Sequence, residues 1–225
     1  MKIPIPPLPP YDENPLFSTS FTPHYDNPGF FPGAGGFFNG HKNPNKRLLF
    51  FGTDFGTRDD YKKVAKDGGE LDSVPTIRNL RETLSKAGVS LDDCFLTNAV
   101  LCLRKVGTAT DDFPIWQDYP EYVRKCVEWH LNFINDNEHK PKLIVLMGKP
   151  HLDHFGKLLY PELADRWAGM ETLKSVYETG KELVHLSNGP DLLLMYHPSS
   201  WHYVPVAIKN KTVEHLKRYS RNTPP

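Results

Sequence analysis

The sequence predicts an α/β protein: a three-layer α/β/α domain around a central, mainly parallel sheet of four strands. Two features of the chain lead to this expectation. Short apolar runs without polar alternation, such as Leu143–Met147, are typical of strands that are buried on both faces. Amphipathic stretches with helical spacing separate these runs, and strands that alternate with helices form parallel sheets covered on both sides.

The order of strands and helices follows from the apolar spacing and from the residues that bound each stretch. Pro75 stands near the start of the first predicted helix and Gly88 just beyond its end, which is the usual asymmetry of helix ends. Strands are predicted at 48–52, 94–103, 143–148 and 192–196, with a further short strand at 183–186. Helices are predicted at 75–87, 120–134, 151–159 and 204–219.

Residues 1–45 differ from the rest of the chain and are expected to form an irregular arm on a domain of residues 46–225. Ten of the 21 prolines fall in this first segment together with a cluster of glycines, and it has neither helical nor strand periodicity. A chain of 225 residues suits one domain with an attached arm.

Composition argues against several classes of protein. The apolar runs are far shorter than the about 20 residues needed to span a bilayer, so no membrane partner is expected. Cys94, Cys102 and Cys126 are too few for a disulfide framework, which favours buried thiols and a cytoplasmic location. The 27 basic and 27 acidic side chains balance, so nucleic-acid binding requires a local basic patch.

Common cofactor and metal motifs are missing from the sequence. It contains neither G-x-x-x-x-G-K-[ST] nor G-x-S-x-G, and its glycine-rich segment does not complete G-x-G-x-x-G. His151 and His154 have the helical spacing of two metal ligands, but no third ligand is indicated. We therefore expect neither a metal nor a cofactor.

Polar side chains occur near the carboxyl ends of three predicted strands. Asp54 follows the first strand, Asn98 lies in the second, and His197 follows the last. Ligands of parallel α/β sheets bind outside the carboxyl ends of the strands, so a carboxylate, a carboxamide and an imidazole are expected to meet in one crevice. Taken singly, each residue has a plainer interpretation: a loop cap for Asp54, backbone pairing for Asn98 and loop packing for His197.

Four segments, in this order, resemble motifs of the uracil-DNA glycosylase superfamily. Residues 52–56, Gly-Thr-Asp-Phe-Gly, resemble the turn after its first strand, and residues 197–201, His-Pro-Ser-Ser-Trp, resemble its H-P-S-P-L motif. Residues 94–100 and 142–148 resemble its apolar-T-N-x-V and K-x-I-x-x-L-G strands. The resemblance covers about residues 47–205.

The resemblance implies a role for each of the three polar residues. Asn98 matches the asparagine that reads the pairing edge of an extruded uracil. His197 matches the histidine that donates a hydrogen bond to the pyrimidine O2 as the base departs. Asp54 matches a position whose carboxylate orients the attacking water and favours the cationic sugar. The implied activity is excision of uracil or a related damaged base from DNA by a monofunctional glycosylase that flips the base.

The resemblance also suggests further base-binding residues. Gly52 begins the turn that carries Asp54 and is included among them. Phe55 is the nearest candidate for the aromatic platform that stacks on the base, and Tyr61 is the next. Trp201 is a candidate DNA-binding residue, because it stands where the family places a wedge leucine and could fill the gap that a flipped base leaves in the duplex; a core tryptophan after a turn suits the sequence nearly as well.

DNA is the expected partner, bound by a monomer. Ser199 and Ser200 are candidates for phosphate contacts through their hydroxyl and N–H groups. Arg58 and Lys149 are candidates for the basic patch that a chain of zero net charge needs. Phe55 and Ser200 replace prolines of the family, and the cysteines are too few for its iron–sulfur branch, so the chain would be a divergent member.

Two other functions stay open at this point. One is a binding module of the same fold that recognises nucleic acid or a nucleobase without cleaving it. The other is a hydrolase that acts on a different N-glycoside, such as a nucleoside. Strand cleavage of a uracil-containing oligonucleotide after alkali treatment distinguishes the glycosylase from both.

Overall fold

The computed structural model describes residues 47–54, 74–90, 93–100, 120–135 and 140–220. The predicted arm of residues 1–45 lies outside these ranges, so its boundary stays a prediction. The strands are β1 (Leu48–Gly52), β2 (Cys94–Asn98), β3 (Leu143–Met147), β4 (Leu183–Val184) and β5 (Asp191–Met195). The α-helices are α1 (Pro75–Lys86), α2 (Pro120–Asn135), α3 (Gly156–Leu159), α4 (Glu162–Arg166), α5 (Leu173–Glu178) and α6 (Val206–Lys217). A π-helix spans His151–Phe155 and a 3-10 helix spans Pro198–Tyr203.

The described strands form one sheet in the order β2-β1-β3-β5-β4. The β1–β2, β1–β3 and β3–β5 pairs are parallel, and the short β4 pairs antiparallel with β5 at the edge. The predicted α/β class with a mainly parallel sheet is thus confirmed. The sheet has five strands rather than four, because the short run near residue 183 joins it as an additional edge strand.

Helices cover both faces of the sheet and produce the three predicted layers. Successive side chains of a strand point to opposite faces, so each strand contributes to two separate hydrophobic clusters. In β1, Leu49 and Phe51 pack with residues of α2 to α5, whereas Leu48 and Phe50 pack with residues of α1 and α6. All five residues of β1 are buried, which explains their lack of polar alternation.

Two short helices were not predicted from the apolar spacing. They are α4 and α5, of five and six residues, which are too short to display a clear helical period. The Thr172 side chain accepts a hydrogen bond from the backbone N–H of Ser175, whose hydroxyl side chain accepts in return from the backbone N–H of Thr172. This reciprocal capping defines the start of α5, although the spacing of its apolar residues was too short to predict a helix.

The predicted helix over 151–159 begins as a π-helix and continues as α3. Gly156 lies at the junction, and a Cβ atom there would be 2.6 Å from the carbonyl oxygen of His151 and 2.9 Å from the Trp167 ring. Glycine therefore permits the close approach that this turn needs. The Trp167 side chain is completely buried and donates from Nε1 to the carbonyl oxygen of Lys181 at 3.0 Å.

The last helix is attached to the sheet edge by buried polar contacts. Glu182 is 2% exposed, and its Oε1 atom lies 2.7 Å from Lys211 Nζ and 2.9 Å from His215 Nε2. The Tyr177 hydroxyl donates to the carbonyl oxygen of Leu194 at 3.0 Å. Cys94 and Cys126 are buried and form no disulfide among the described residues, in agreement with their predicted role as small core side chains, while Cys102 lies outside those residues. Among the described helices, none combines the length and apolar character needed to cross a membrane.

Candidate functional site

The ends of β1 and β2 bring two of the predicted residues side by side. Gly52, the last residue of β1, is the register partner of Asn98, the last residue of β2. The pairing continues past both strands, because Ala99 N–H donates to the Gly52 carbonyl at 2.8 Å and Val100 N–H donates to the Thr53 carbonyl at 3.0 Å. The start of the turn that leads to Asp54 is therefore fixed against the segment that follows Asn98.

The ends of β3 and β5 hold the third residue. Met147 and Met195 are register partners, and the Gly148 N–H donates to the Met195 carbonyl at 2.8 Å. Gly148 has φ +105°, a conformation that other residues adopt only with strain. A Cβ atom on Gly148 would lie 3.4 Å from Cβ of His197. An added Cβ would therefore make a van der Waals contact with His197, and it is the positive φ that favours glycine here.

Asp54, Asn98 and His197 all lie at the carboxyl edge of the sheet. Asn98 is 3% exposed, whereas Asp54 and His197 are half-buried. Adjacent strands are about 4.8 Å apart, and β3 separates β1 from β5, so the strands that lead to Asp54 and to His197 are about 10 Å apart.

Local hydrogen bonds fix the protonation pattern of His197. This residue caps the 3-10 helix, and its Nδ1 atom accepts from the Ser199 N–H at 3.3 Å. The Ser199 hydroxyl lies 2.7 Å from the same nitrogen and can donate to it as well. Burial lowers the pKa of His197 to about 4, so the ring is neutral near pH 7. A neutral ring whose Nδ1 is an acceptor carries its hydrogen on Nε2.

The other residues predicted from the H-P-S-P-L resemblance differ in exposure. Ser199 and Ser200 are exposed at the start of the 3-10 helix. Trp201 is 7% exposed and packs in the cluster with α1 and α6, the position of a core tryptophan. Two residues further on, Tyr203 is 81% exposed, and its ring centroid lies 3.7 Å from that of His202.

The remaining predicted residues are placed only in part. Lys149 follows β3 at the same edge, and its Nζ atom lies 2.6 Å from the Asp153 carboxylate. This ion pair is half-exposed, so it leaves the ammonium group accessible to solvent. Phe55, Arg58 and Tyr61 lie outside the described residues, and their roles stay predictions.

Two buried histidines behind the strand ends were not predicted as part of the site. The His130 Nε2 atom lies 3.2 Å from the Ala99 carbonyl, so its N–H supports the chain directly after Asn98. His151 is completely buried, and its ring lies against the backbone carbonyls of Phe51 and Gly52 at the end of β1. Burial is the main cause that lowers the pKa of both histidines to about 3, and the nearby His197 is a smaller cause for His151. Both rings are therefore neutral near pH 7.

The sequence contained a signal for each of these histidines. His130 lies three residues after Val127 on the apolar face of α2, a spacing that marks it as buried. His151 follows the end of a strand, but its spacing to His154 also suits two ligands of one metal ion. Within the described ranges, no group of three or more His, Cys, Asp or Glu side chains could hold a metal ion.

The described residues also enclose a cavity of about 310 Å³, which Asp54, Asn98 and His197 do not line. It is bounded by the first turns of α2 and by the π-helix and α3. The described residues that line it are Pro120, Val123, Arg124, Asp153, His154, Lys157 and Leu158. None of the residues predicted for the site is among them.

The fold is that of an α/β protein with a mainly parallel sheet, a class whose ligands usually bind outside the carboxyl ends of the strands. The chain belongs to the uracil DNA glycosylase superfamily, whose family model matches residues 40–219. This superfamily generally comprises DNA glycosylase hydrolases, which act on DNA. A search of curated proteins found no match to this chain.

Proposed function

We propose that the protein is a monofunctional DNA glycosylase that hydrolyses the N-glycosidic bond of uracil or a related damaged base after flipping it out of DNA. Family membership supports action on DNA. The strand register is the observation that supports base excision in particular. Asn98 and the turn to Asp54 follow the neighbouring strands β2 and β1, and His197 follows β5 at the same edge of the sheet, with β3 between them.

Asn98 reads the base in this proposal. A carboxamide both donates and accepts, as does the pairing edge of uracil, whereas cytosine presents the reverse pattern. A nearly buried carboxamide selects by this pattern, because the wrong base leaves buried polar groups unpaired. The 3% exposure of Asn98 and the contact of His130 with the next carbonyl support a fixed orientation.

His197 stabilises the departing base. As the bond between C1′ and the base nitrogen breaks, its electron pair leaves with the base, which becomes an anion. The Nε2–H of a neutral imidazole can donate a hydrogen bond to the oxygen where this charge develops. One preorganised donor of this kind contributes about 3 kcal/mol to the transition state. The contacts of Nδ1 with Ser199 support this assignment, because they leave Nε2 as the donor.

Asp54 acts on the sugar and on the attacking water rather than on the departing base. A negative charge close to C1′ favours the oxocarbenium-like sugar, and the same carboxylate orients the attacking water. The water oxygen bonds to C1′, one water proton is taken up by the carboxylate, and the released base anion finally takes up a proton. The half-buried position of Asp54 just after the end of β1 supports a carboxylate that lies close to the ligand edge.

DNA contacts complete the proposal. Ser199 and Ser200 bind phosphate oxygens, and Lys149 supplies positive charge beside them, with Arg58 as the further candidate. Phe55 or Tyr61 stacks on the base. We also propose that the protein acts as a monomer in the reducing cytoplasm, which the two free buried thiols support.

The test is an oligonucleotide assay that compares uracil, hypoxanthine, xanthine and mismatched thymine in otherwise identical duplexes and single strands. Glycosylase activity appears as strand scission after alkali treatment at the modified position only. The double variant Asp54→Asn with His197→Ala controls for a contaminating enzyme. Binding without scission would support a binding module, and base release from free nucleosides with DNA untouched would support another N-glycosidase; either result contradicts the proposal.

A further inference from the structure

A side chain from α1 holds the segment that carries His197. The Nδ2 atom of Asn79 donates a hydrogen bond to the Pro198 carbonyl at 2.7 Å, although the two residues are 119 positions apart in the chain. Pro198 is buried and immediately follows His197. The contact is therefore a tertiary link between α1 and the first residue of the 3-10 helix.

The location of Asn79 on its helix suits this link. Ile77 and Leu80 are buried in the cluster beneath α1, so they fix the rotation of the helix about its axis. Asn79 itself is half-buried beside them, and its backbone carbonyl accepts from the Thr83 hydroxyl at 2.7 Å. The carboxamide is thus presented by a packed helix rather than by a loop.

The hydrogen bond bears directly on the orientation of the His197 ring. A proline has no N–H, so the 3-10 helix begins without a donor at Pro198. His197 is held from one side by its Nδ1 contacts with Ser199 and through its carbonyl, which accepts from the Ser200 N–H at 3.0 Å. All these contacts lie within one short segment, and the Asn79 bond anchors that segment to a distant element.

We propose that Asn79 is a positioning residue for His197: it anchors the Pro198 carbonyl and so keeps the imidazole in the orientation and tautomer that the reaction needs. The role of His197 in this statement rests on the proposed glycosylase function. A side chain that only stabilised the fold would affect unfolding but not the chemistry of His197.

The test compares Asn79→Asp and Asn79→Leu with wild type. Both keep the approximate size of the side chain, but neither can donate to the carbonyl, and the aspartate places an acceptor against it. Asn79→Gln retains a donor and tests rescue. Arg78→Ala is the matched control, because Arg78 is the neighbouring exposed residue on the same helix. Melting temperatures identify the variants that remain folded.

Two readouts distinguish positioning from simple stabilisation. Single-turnover release of uracil from a duplex is expected to fall about tenfold in the Asp and Leu variants, with affinity for an abasic-site duplex changed less than about threefold. The 15N NMR signals of His197 are expected to move from a single Nε2–H tautomer toward a mixture. Arg78→Ala should keep the wild-type rate of base release and the single His197 tautomer. Asn79→Gln should be intermediate between wild type and the Asp and Leu variants in both.

Unchanged base release and unchanged His197 signals in folded Asn79→Asp and Asn79→Leu would overturn the positioning role, whatever their melting temperatures. If the wild type releases no base from any duplex, the proposed function fails, but the NMR comparison still decides whether Asn79 controls the imidazole. The NMR readout needs no substrate, so the two failures are distinguishable.

Discussion

The Nδ1 atom of His197 lies 2.7 Å from Oγ of Ser199 and accepts a hydrogen bond from the backbone N–H of the same residue at 3.3 Å. Because the backbone N–H can only donate, Nδ1 is the acceptor, and the hydroxyl can add a second donor. The neutral ring then has one donor left, at Nε2. In the proposed reaction, this donor binds the departing base anion without a full positive charge on the ring.

Ser199→Ala should reduce single-turnover base release by about three- to tenfold. The substitution removes the hydroxyl that stabilises the Nε2–H tautomer but keeps the backbone N–H contact, and a hydrogen bond contributes about 1 kcal/mol. Ser200→Ala is the comparison, because this exposed neighbour shares the proposed phosphate contact and its backbone N–H contact with His197 survives the change, so it should weaken DNA binding without slowing base release at saturating protein. Equal rates in the two variants would contradict the role assigned to the Ser199 hydroxyl.

Asp54→Asn and His197→Ala should each lower base release by about 100-fold or more while sparing DNA binding. Each removes a charge or donor that acts mainly in the transition state, so the rate constant changes rather than the affinity. Single-turnover rates and fluorescence anisotropy on a uracil duplex measure the two quantities. Wild-type rates in both variants would exclude the mechanism.

Gly148→Ala should impair both stability and activity. Residues other than glycine adopt positive φ at a penalty of about 1–2 kcal/mol, and the added Cβ would be 3.4 Å from Cβ of His197. Gly169→Ala is a matched control, since Gly169 has φ +71° with nothing within 4 Å of the added Cβ. Urea unfolding should therefore show a loss of stability in both variants. Base release should fall only in Gly148→Ala, because relaxation of the strained backbone there moves an atom in van der Waals contact with His197. Equal base release in the two variants would refute this link between Gly148 and His197.

Stability should fall in mild acid because of the buried histidines His130 and His151. Their pKa is about 3 in the folded protein and 6.5 in the absence of burial. The unfolded chain takes up protons below pH 6.5 that the folded chain does not, so this contribution to stability is complete above pH 6.5 and is lost as the pH falls toward 3. At pH 5, each histidine lowers the free energy of unfolding by about 2 kcal/mol relative to pH 7.

Urea unfolding between pH 5 and pH 7 measures this effect, and His151→Phe should flatten the dependence. Phenylalanine matches the ring shape and cannot take up a proton, so the pH-dependent contribution of this residue should disappear whatever the stability at pH 7. An equally steep pH dependence in the variant would show that His151 does not titrate as inferred.

Trp201 and Tyr203 should respond to alanine substitution in opposite ways. Trp201→Ala should lower the free energy of unfolding by about 3–5 kcal/mol, because the side chain is 7% exposed and packs in the core. Tyr203→Ala should change stability by less than about 0.5 kcal/mol, since its side chain is 81% exposed. An exposed aromatic group beside the site can stack on a base, so this second variant should bind a uracil duplex more weakly. Unaltered affinity would mean that Tyr203 does not contact DNA.

The sequence predicted those parts of the fold and site that depend on local pattern. Buried strands are recognisable in the sequence as apolar runs. Parallel pairing brings the carboxyl ends of such strands to one edge of the sheet, and on this basis Asp54, Asn98 and His197 were predicted to share a site. The fully buried His151 and the Asn79 carboxamide were not predicted, because their roles depend on contacts with residues far away in the chain. The sequence also left open whether Trp201 is a DNA wedge or a core residue, because this too depends on distant contacts.

The position of β1 between β2 and β3 has a consequence during synthesis. These two neighbours are encoded about 40 and about 90 residues later, so the ribosome delivers β1 before either of its partners. Until Met147 has emerged, the side of β1 that pairs with β3 is open to association with other nascent chains. Slow translation of this interval would prolong that exposure.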